Sequence, residues 1–154
     1  MVLFELAHEK DAEILKEIGI KAFEEDKKQY GSTPPGIDSV DWHLSQIKSG
    51  MYYKIIYDGQ TVGGIKLFDM KGRHYRLGSI YILPDFQNHG IGHKAIEFIE
   101  KVYPDARKWS LDTPYKSYRN HYFYEKHGYV KVGETQPEKE NEFYLFLYEK
   151  NIDL

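Results

Sequence analysis

Ile80-Tyr81-Ile82-Leu83-Pro84-Asp85-Phe86-Gln87-Asn88-His89-Gly90-Ile91-Gly92 is the stretch on which the reading of this chain turns. An apolar run reads as a strand, Pro84 breaks it, and a helix opens on glycines. The first backbone N–H groups of a helix have no partner within it and lie at the positive end of its dipole. Gly90 and Gly92 carry no Cβ, so a phosphate can come close to that backbone. The segment predicts an anion site, best suited to a pyrophosphate. Directly after it, Ile91, Ala95, Phe98, Ile99 and Val102 recur at helical spacing, which predicts a helix over about 90–102.

Working outward, Val2 to Leu6 alternates as a short strand. A helical pattern follows over about 11–28, with Ile14, Leu15, Ile18, Ala22 and Phe23 on one face. Gly31 to Gly36, with Pro34 and Pro35, is a loop, and Asp38 or Ser39 caps a second helix through Trp42, Leu44 and Ile47, stopped by Gly50. Strands over 51–57 and 61–68 flank the hairpin pair Asp58-Gly59, and Lys71-Gly72 turns the chain into a strand over 75–83. Trp109 to Leu111 reads as a buried strand, 115–127 as a helix ended by Gly128, and 129–132 and 143–148 as a last strand pair. This order predicts an α+β fold. Its central mixed sheet has about seven mostly antiparallel strands with one parallel step, flanked by about four helices.

Composition bounds what the chain does. At 154 residues, 1–154 suits a single domain with a real core, and 41% hydrophobic residues argue against disorder. Lys plus Arg number 21 against 24 Asp plus Glu, a net charge of −3, which argues against nucleic-acid binding through bulk positive charge. No apolar run approaches the ~20 residues of a membrane span. Met1 to Leu6 lacks the basic and long apolar regions of a signal peptide, so a cytoplasmic location is expected. With no cysteine, disulfides, thiolate nucleophiles and cysteine metal sites are excluded.

Two other patterns touch the glycine stretch. Gly90-x-Gly92-x-x-Ala95 matches a dinucleotide fingerprint, and Asp112 lies 20 residues beyond Gly92. That fingerprint needs its first glycine in the turn directly after the strand, whereas Pro84 to His89 intervene here. The 62 residues after Gly92 are also too few for a second nucleotide-binding half. His89 and His93 stand at i, i+4, a metal-ligand spacing, but the segment lacks the glutamate of H-E-x-x-H, so no metal is expected. The acidic run Glu24-Glu25-Asp26 next to Lys27 and Lys28 reads as a solvated face.

Gln87-x-x-Gly90-x-Gly92, after a strand ending in Pro84, resembles the central motif of the GNAT superfamily of N-acetyltransferases, whose loop holds the pyrophosphate of acetyl-CoA. Tyr124-Glu125-Lys126-His127-Gly128-Tyr129 resembles that family's later YEKxGF segment, and Asn120 is similar to its frequent asparagine one turn earlier. Asp58 to Gly64 is similar to the hairpin before its third strand, and the order of elements matches the family over nearly the whole chain.

The resemblance implies acetyl transfer from acetyl-CoA to a primary amine of a small molecule or peptide by direct attack. It implies cofactor contacts from Gln87, Asn88, His89, Gly90, Ile91, Gly92, His93 and Asn120. It also implies that backbone groups of Ile80, Tyr81 and Ile82 hold the pantetheine arm and polarise the thioester. Tyr124 is then the acid that protonates the departing thiolate. The family often places a Glu or His early in the fourth strand as base; Arg76, Leu77 and Gly78 stand here instead. His74, Tyr81, Asp112 or a water chain remain open as the base. The expected partners are acetyl-CoA and the amine, without nucleic acid or membrane, and a homodimer is left open. A catalytically silent acyl-CoA-binding or sensing module, keeping the loop without the base, is the alternative.

Overall fold

The computed structural model describes residues 1–152, so the expected span 1–154 includes two positions outside the described residues. Among the described residues, seven strands form one mixed sheet in the order β1-β2-β3-β4-β5-β7-β6, accompanied by five α-helices. The chain divides into two compact units, Met1–Leu67 with Ser79–Val102, and Phe68–Gly78 with the chain from Tyr103 onward.

In the first unit β1 (Val2–Leu6) pairs antiparallel with β2 (Tyr52–Tyr57), and β2 with β3 (Gln60–Asp69). The Asp58-Gly59 pair turns between β2 and β3 with φ of 47° and 85°, the left-handed values that a tight hairpin needs. The helix expected over 11–28 is two helices, α1 (Ala12–Ala22) and α2 (Glu24–Tyr30). Phe23 interrupts them at φ −101° and ψ 14°, with its ring centroid 6.0 Å from that of Tyr81. The apolar periodicity runs through the break, so packing of that ring, not local propensity, sets it. α3 (Val40–Ser49) is capped by Ser39, whose Oγ accepts from the Trp42 N–H at 3.2 Å. α4 (Ile91–Val102) buries Ile91, Ala95, Ile96 and Ile99, while Val102, expected on that face, is exposed. Phe98 stacks on Phe4 of β1 at 4.6 Å and meets Tyr53 of β2 edge-on at 5.1 Å.

The second unit holds the start of β4 (His74–Ile82), β5 (Lys108–Pro114), α5 (Tyr118–Lys126), β6 (Val130–Glu134) and β7 (Leu145–Asn151). β4 and β5 pair in parallel over His74–Arg76 opposite Lys108–Ser110. The α4 crossover between them is the kind of connection that parallel neighbours require. β7 inserts between β5 and β6, antiparallel to both. Trp109, Leu111, Tyr124, Tyr129 and Tyr148 are buried in this unit. The helix expected to begin at Tyr115 begins at Tyr118, because the Tyr115 N–H donates to Tyr144 O at 3.1 Å and prolongs the pairing beyond β5.

Candidate active site

The anion loop lies in the first unit. The Leu83 N–H donates to Val62 O at 2.8 Å and anchors the end of β4, after which Pro84–Phe86 form a single 3₁₀ turn. The Gln87 side chain folds back, its Nε2 donating to Ile82 O at 3.0 Å. Gln87 thus braces the loop from within, on one of the strand-end carbonyls expected to serve the cofactor. Asn88 and Gly90 both take left-handed φ, 66° and 75°, two residues apart. Such alternation turns successive N–H groups toward one side. Gly90 O accepts from the Lys94 N–H at 3.2 Å, which makes Gly90 the residue where α4 begins. The amides of Ile91 and Gly92 then fall in the first turn, where a helix supplies no acceptor of its own. An added Cβ at Gly90 would meet nothing within 4 Å, so the space over this turn is open.

The two histidines are placed differently. His93 Nε2 lies 3.2 Å from Glu97 Oε1 on the same helix. The His89 ring lies 6.0 Å from the Tyr57 ring and 6.5 Å from Phe86. Among the described residues, no three His, Cys, Asp or Glu side chains gather where a metal ion would be held. Tyr81, expected to contribute its backbone, turns its side chain into the core, and its hydroxyl makes a short hydrogen bond with that of Tyr52. Gly64 of β3 makes room for that ring, since a Cβ there would lie 2.5 Å from the Tyr81 hydroxyl oxygen.

Tyr124 and Asn120 lie in the second unit on α5. Tyr124 is 7% exposed, and among the described residues its hydroxyl makes no hydrogen bond. Burial first, and the Asp112 carboxylate second, push the phenol well above its ordinary pKa, so it holds its proton throughout the physiological range. α5 is fixed to β5 by two bonds: Asn120 Nδ2 donates to Thr113 Oγ1 at 3.2 Å, and His121 Nε2 lies 2.9 Å from Pro114 O. The three side chains left open as bases are all engaged. His74 Nε2 lies 2.6 Å from Ser110 Oγ, and burial, with help from Lys108, lowers its pKa. Asp112 accepts from Arg76 Nη2 at 2.5 Å, and Tyr81 is bonded to Tyr52. In the acidic run, Glu24 and Glu25 pair with Lys28 at 3.8 and 3.5 Å, while burial raises the Asp26 carboxyl.

A strand that stops at proline, a left-handed glycine opening a helix, and a mixed sheet with one parallel step are the features that the sequence resemblance called for. A sequence model of the acetyltransferase (GNAT) family matches residues 15–129, and the chain belongs to that family. The uncharacterized protein YrkN of Bacillus subtilis is 38% identical over 73 residues, which span 47% of this chain and 40% of that protein. Among solved structures, the PaiA N-acetyltransferase of Thermoplasma acidophilum, in complex with coenzyme A, superposes with a TM-score of 0.82 over 99% of each chain at 17% identity. The ribosomal-protein-S18-alanine N-acetyltransferase of Escherichia coli does so at 0.74, over 100% of this chain and 96% of that one, at 12% identity. At those identities the likeness is one of fold.

Proposed function

We propose that this chain transfers an acetyl group from acetyl-CoA to a primary amine. The observation that carries the reading, beside family membership, is the N-terminus of α4. It opens on left-handed Gly90 beneath open space, where backbone amides suit a pyrophosphate. Acetyl-CoA supplies an activated thioester, whose acyl carbon takes the amine nitrogen while the carbon–sulfur bond breaks. The residues expected to hold it are Gln87 through His93, with Gln87 bracing the loop. The backbone of Ile80, Tyr81 and Ile82 receives the pantetheine arm. Tyr124 gives its proton to the departing sulfur. A phenol is protonated at neutral pH without any shift, and the Tyr124 hydroxyl, which makes no hydrogen bond among the described residues, is free to donate. The attacking amine gives up one proton in exchange. Since His74, Tyr81 and Asp112 each have a partner, water is the acceptor we favour.

Those engaged side chains also favour a second reading, a silent acyl-CoA-binding module. Purified protein heated with CoA, acetyl-CoA, NAD or FAD separates the readings of the loop. A ligand held only by the folded state adds about 2.7 kcal/mol at roughly a hundredfold excess over Kd. Stabilisation by acetyl-CoA and not by NAD is the expected result, and the reverse would remove the family function from this loop. Turnover of acetyl-CoA with a panel of primary amines then separates enzyme from sensor.

A further inference from the structure

Two groups of polar side chains lie away from the anion loop, one in each unit. In the first unit, His43 of α3 is fully buried, with Nε2 2.8 Å from Ile37 O and Nδ1 2.8 Å from the Tyr52 hydroxyl. That hydroxyl bonds in turn to the one of Tyr81. Every polar side-chain atom of this chain has a partner within the protein, so none is left for a ligand.

The group in the second unit is not closed in this way. His74 and Arg76 of β4 share one sheet face with Lys108, Ser110 and Asp112 of β5, since Tyr75, Leu77, Trp109 and Leu111 alternate with them and are buried on the other. His74 Nε2 lies 2.6 Å from Ser110 Oγ, and Lys108 Nζ lies 3.6 Å from Glu149 Oε2 of β7. Arg76 Nη2 donates to Asp112 Oδ2 at 2.5 Å, and the two side chains are 31% and 29% exposed. Asp112 Oδ1 accepts from no described residue. The backbone sets where this open oxygen lies. Among the described residues, the β4–β5 pairing ends with Arg76 opposite Ser110, and Asp112 is the next residue on that face beyond it. α5 is tied to the two residues that follow, by Asn120 to Thr113 and by His121 to Pro114. Tyr124 stands one turn beyond Asn120 on that helix, and the charge its phenol feels is that of Asp112.

We propose that Arg76 is a positioning residue: by gripping one oxygen of Asp112 it fixes the other as the acceptor for the water that removes the amine's proton. The proposal deepens the acetyltransferase reading and rests on it. As the amine nitrogen bonds to the acyl carbon and the carbon–sulfur bond breaks, one N–H proton passes to the water. The water passes a proton to Asp112 Oδ1, and Tyr124 gives its own to the sulfur. Transfer of the Asp112 proton to the Tyr124 phenolate through solvent then restores both groups. A carboxylate free to rotate would offer either oxygen, whereas a charge-assisted bond to a guanidinium leaves one orientation. The other cationic or basic groups on this face do not compete for it, because Lys108 is paired with Glu149 and His74 with Ser110. Ion pairs exposed to this degree contribute little to stability, so holding the fold is a weak reason for this one.

The test measures kcat and KM against pH in the whole chain, with acetyl-CoA saturating, for putrescine and for a tripeptide with N-terminal alanine. Asp112→Asn keeps the shape and removes the charge that receives the proton. At pH 7 its kcat should fall by about a hundredfold, the scale of a general base, with the CoA Kd within about twofold of the original. The loss should shrink as pH rises through the amine's own pKa, about 8 for the peptide and about 10 for an alkylamine, where solvent takes the proton unaided. Arg76→Gln should lose about tenfold in kcat, and Arg76→Lys should lie closer to the original. Because Arg76 acts through Asp112, the double variant Arg76→Gln/Asp112→Asn should be no slower than Asp112→Asn alone. A purely structural role would lower the melting temperature and reduce turnover by one factor at every pH. A loss independent of pH, a loss carried by KM alone, additive losses in the double variant, or near-normal kcat in whichever single variant folds overturns the proposal. If the unmodified protein acetylates no primary amine, the acetyltransferase reading falls and the proposal with it; turnover that Asp112→Asn leaves intact removes the proposal alone.

Discussion

Tyr81 and Tyr124 are both buried phenols, 3% and 7% exposed, and burial raises the pKa of each. Tyr81 shares its hydrogen with Tyr52 and so ties a strand to a helix and a loop. Tyr124 shares its hydroxyl with no described residue, and the charge that acts on it is that of Asp112. The contrast fits the division of work proposed above, in which Tyr81 stabilises and orients while Tyr124 is the proton donor. Replacing each by phenylalanine tests that division.

The largest effect is expected from Tyr124→Phe. The ring stays, no internal hydrogen bond is lost, and the melting temperature should hold or rise. The turnover number should fall by roughly a hundredfold, the scale of a general acid, with little change in KM for acetyl-CoA. Near-normal turnover under conditions where chemistry limits the rate would leave solvent as the proton donor and return Tyr124 to packing.

Gly90→Val comes next. An added Cβ meets no heavy atom within 4 Å beyond its chain neighbours, so the fold should survive, but a β-branched residue at φ 75° is strained by about 1–3 kcal/mol. Relief of that strain moves the turn, and the branched side chain occupies the space above it. The CoA Kd should rise by at least about tenfold, checked by calorimetry on protein that retains its circular dichroism. An unchanged Kd would place the pyrophosphate elsewhere.

Tyr81→Phe should do the reverse of Tyr124→Phe. The Tyr52 oxygen loses its donor, at a cost of about 1–3 kcal/mol in denaturant unfolding. A variant as stable as the original would mean that the Tyr52–Tyr81 bond contributes nothing, and the contrast between the two tyrosines would close.

The two regions also differ in how far the sequence discloses them. The anion loop is written locally: a proline stop, two glycines and an apolar helical face lie within 23 residues, from Ile80 to Val102. The hairpin at Asp58-Gly59 is legible for the same reason. The His43–Tyr52–Tyr81 chain joins residues 9 and 29 positions apart, and three polar side chains so spaced make no pattern. Lys66 is hidden in the same way. It lies in β3 and is 2% exposed, and its Nζ donates to Ser49 Oγ at 2.8 Å and Gln46 O at 3.2 Å at the end of α3. The break at Phe23 comes from a ring contact with Tyr81, which periodicity along the helix does not register. What short-range backbone chemistry dictates was readable, and what tertiary packing decides was not.

The smallest effect is expected from Asn120→Ala, and it bears on the same contrast. Asn120 stands one turn before Tyr124 on α5, and by resemblance it was expected to touch the cofactor. In the structure its amide donates to Thr113 Oγ1 and tethers α5 to β5. The bond is half-exposed and neutral, so its removal should cost about 0.5–1.5 kcal/mol. His121, which binds Pro114 O one residue on, should keep α5 in place. If Asn120 acts as a tether, the CoA Kd stays within about twofold while stability falls slightly, and Asn120→Ala combined with Tyr124→Phe is no less stable than Asn120→Ala alone. If it holds the cofactor, the Kd rises by about tenfold, the scale of one lost hydrogen bond to a charged group, and α5 joins the anion loop as part of the binding site.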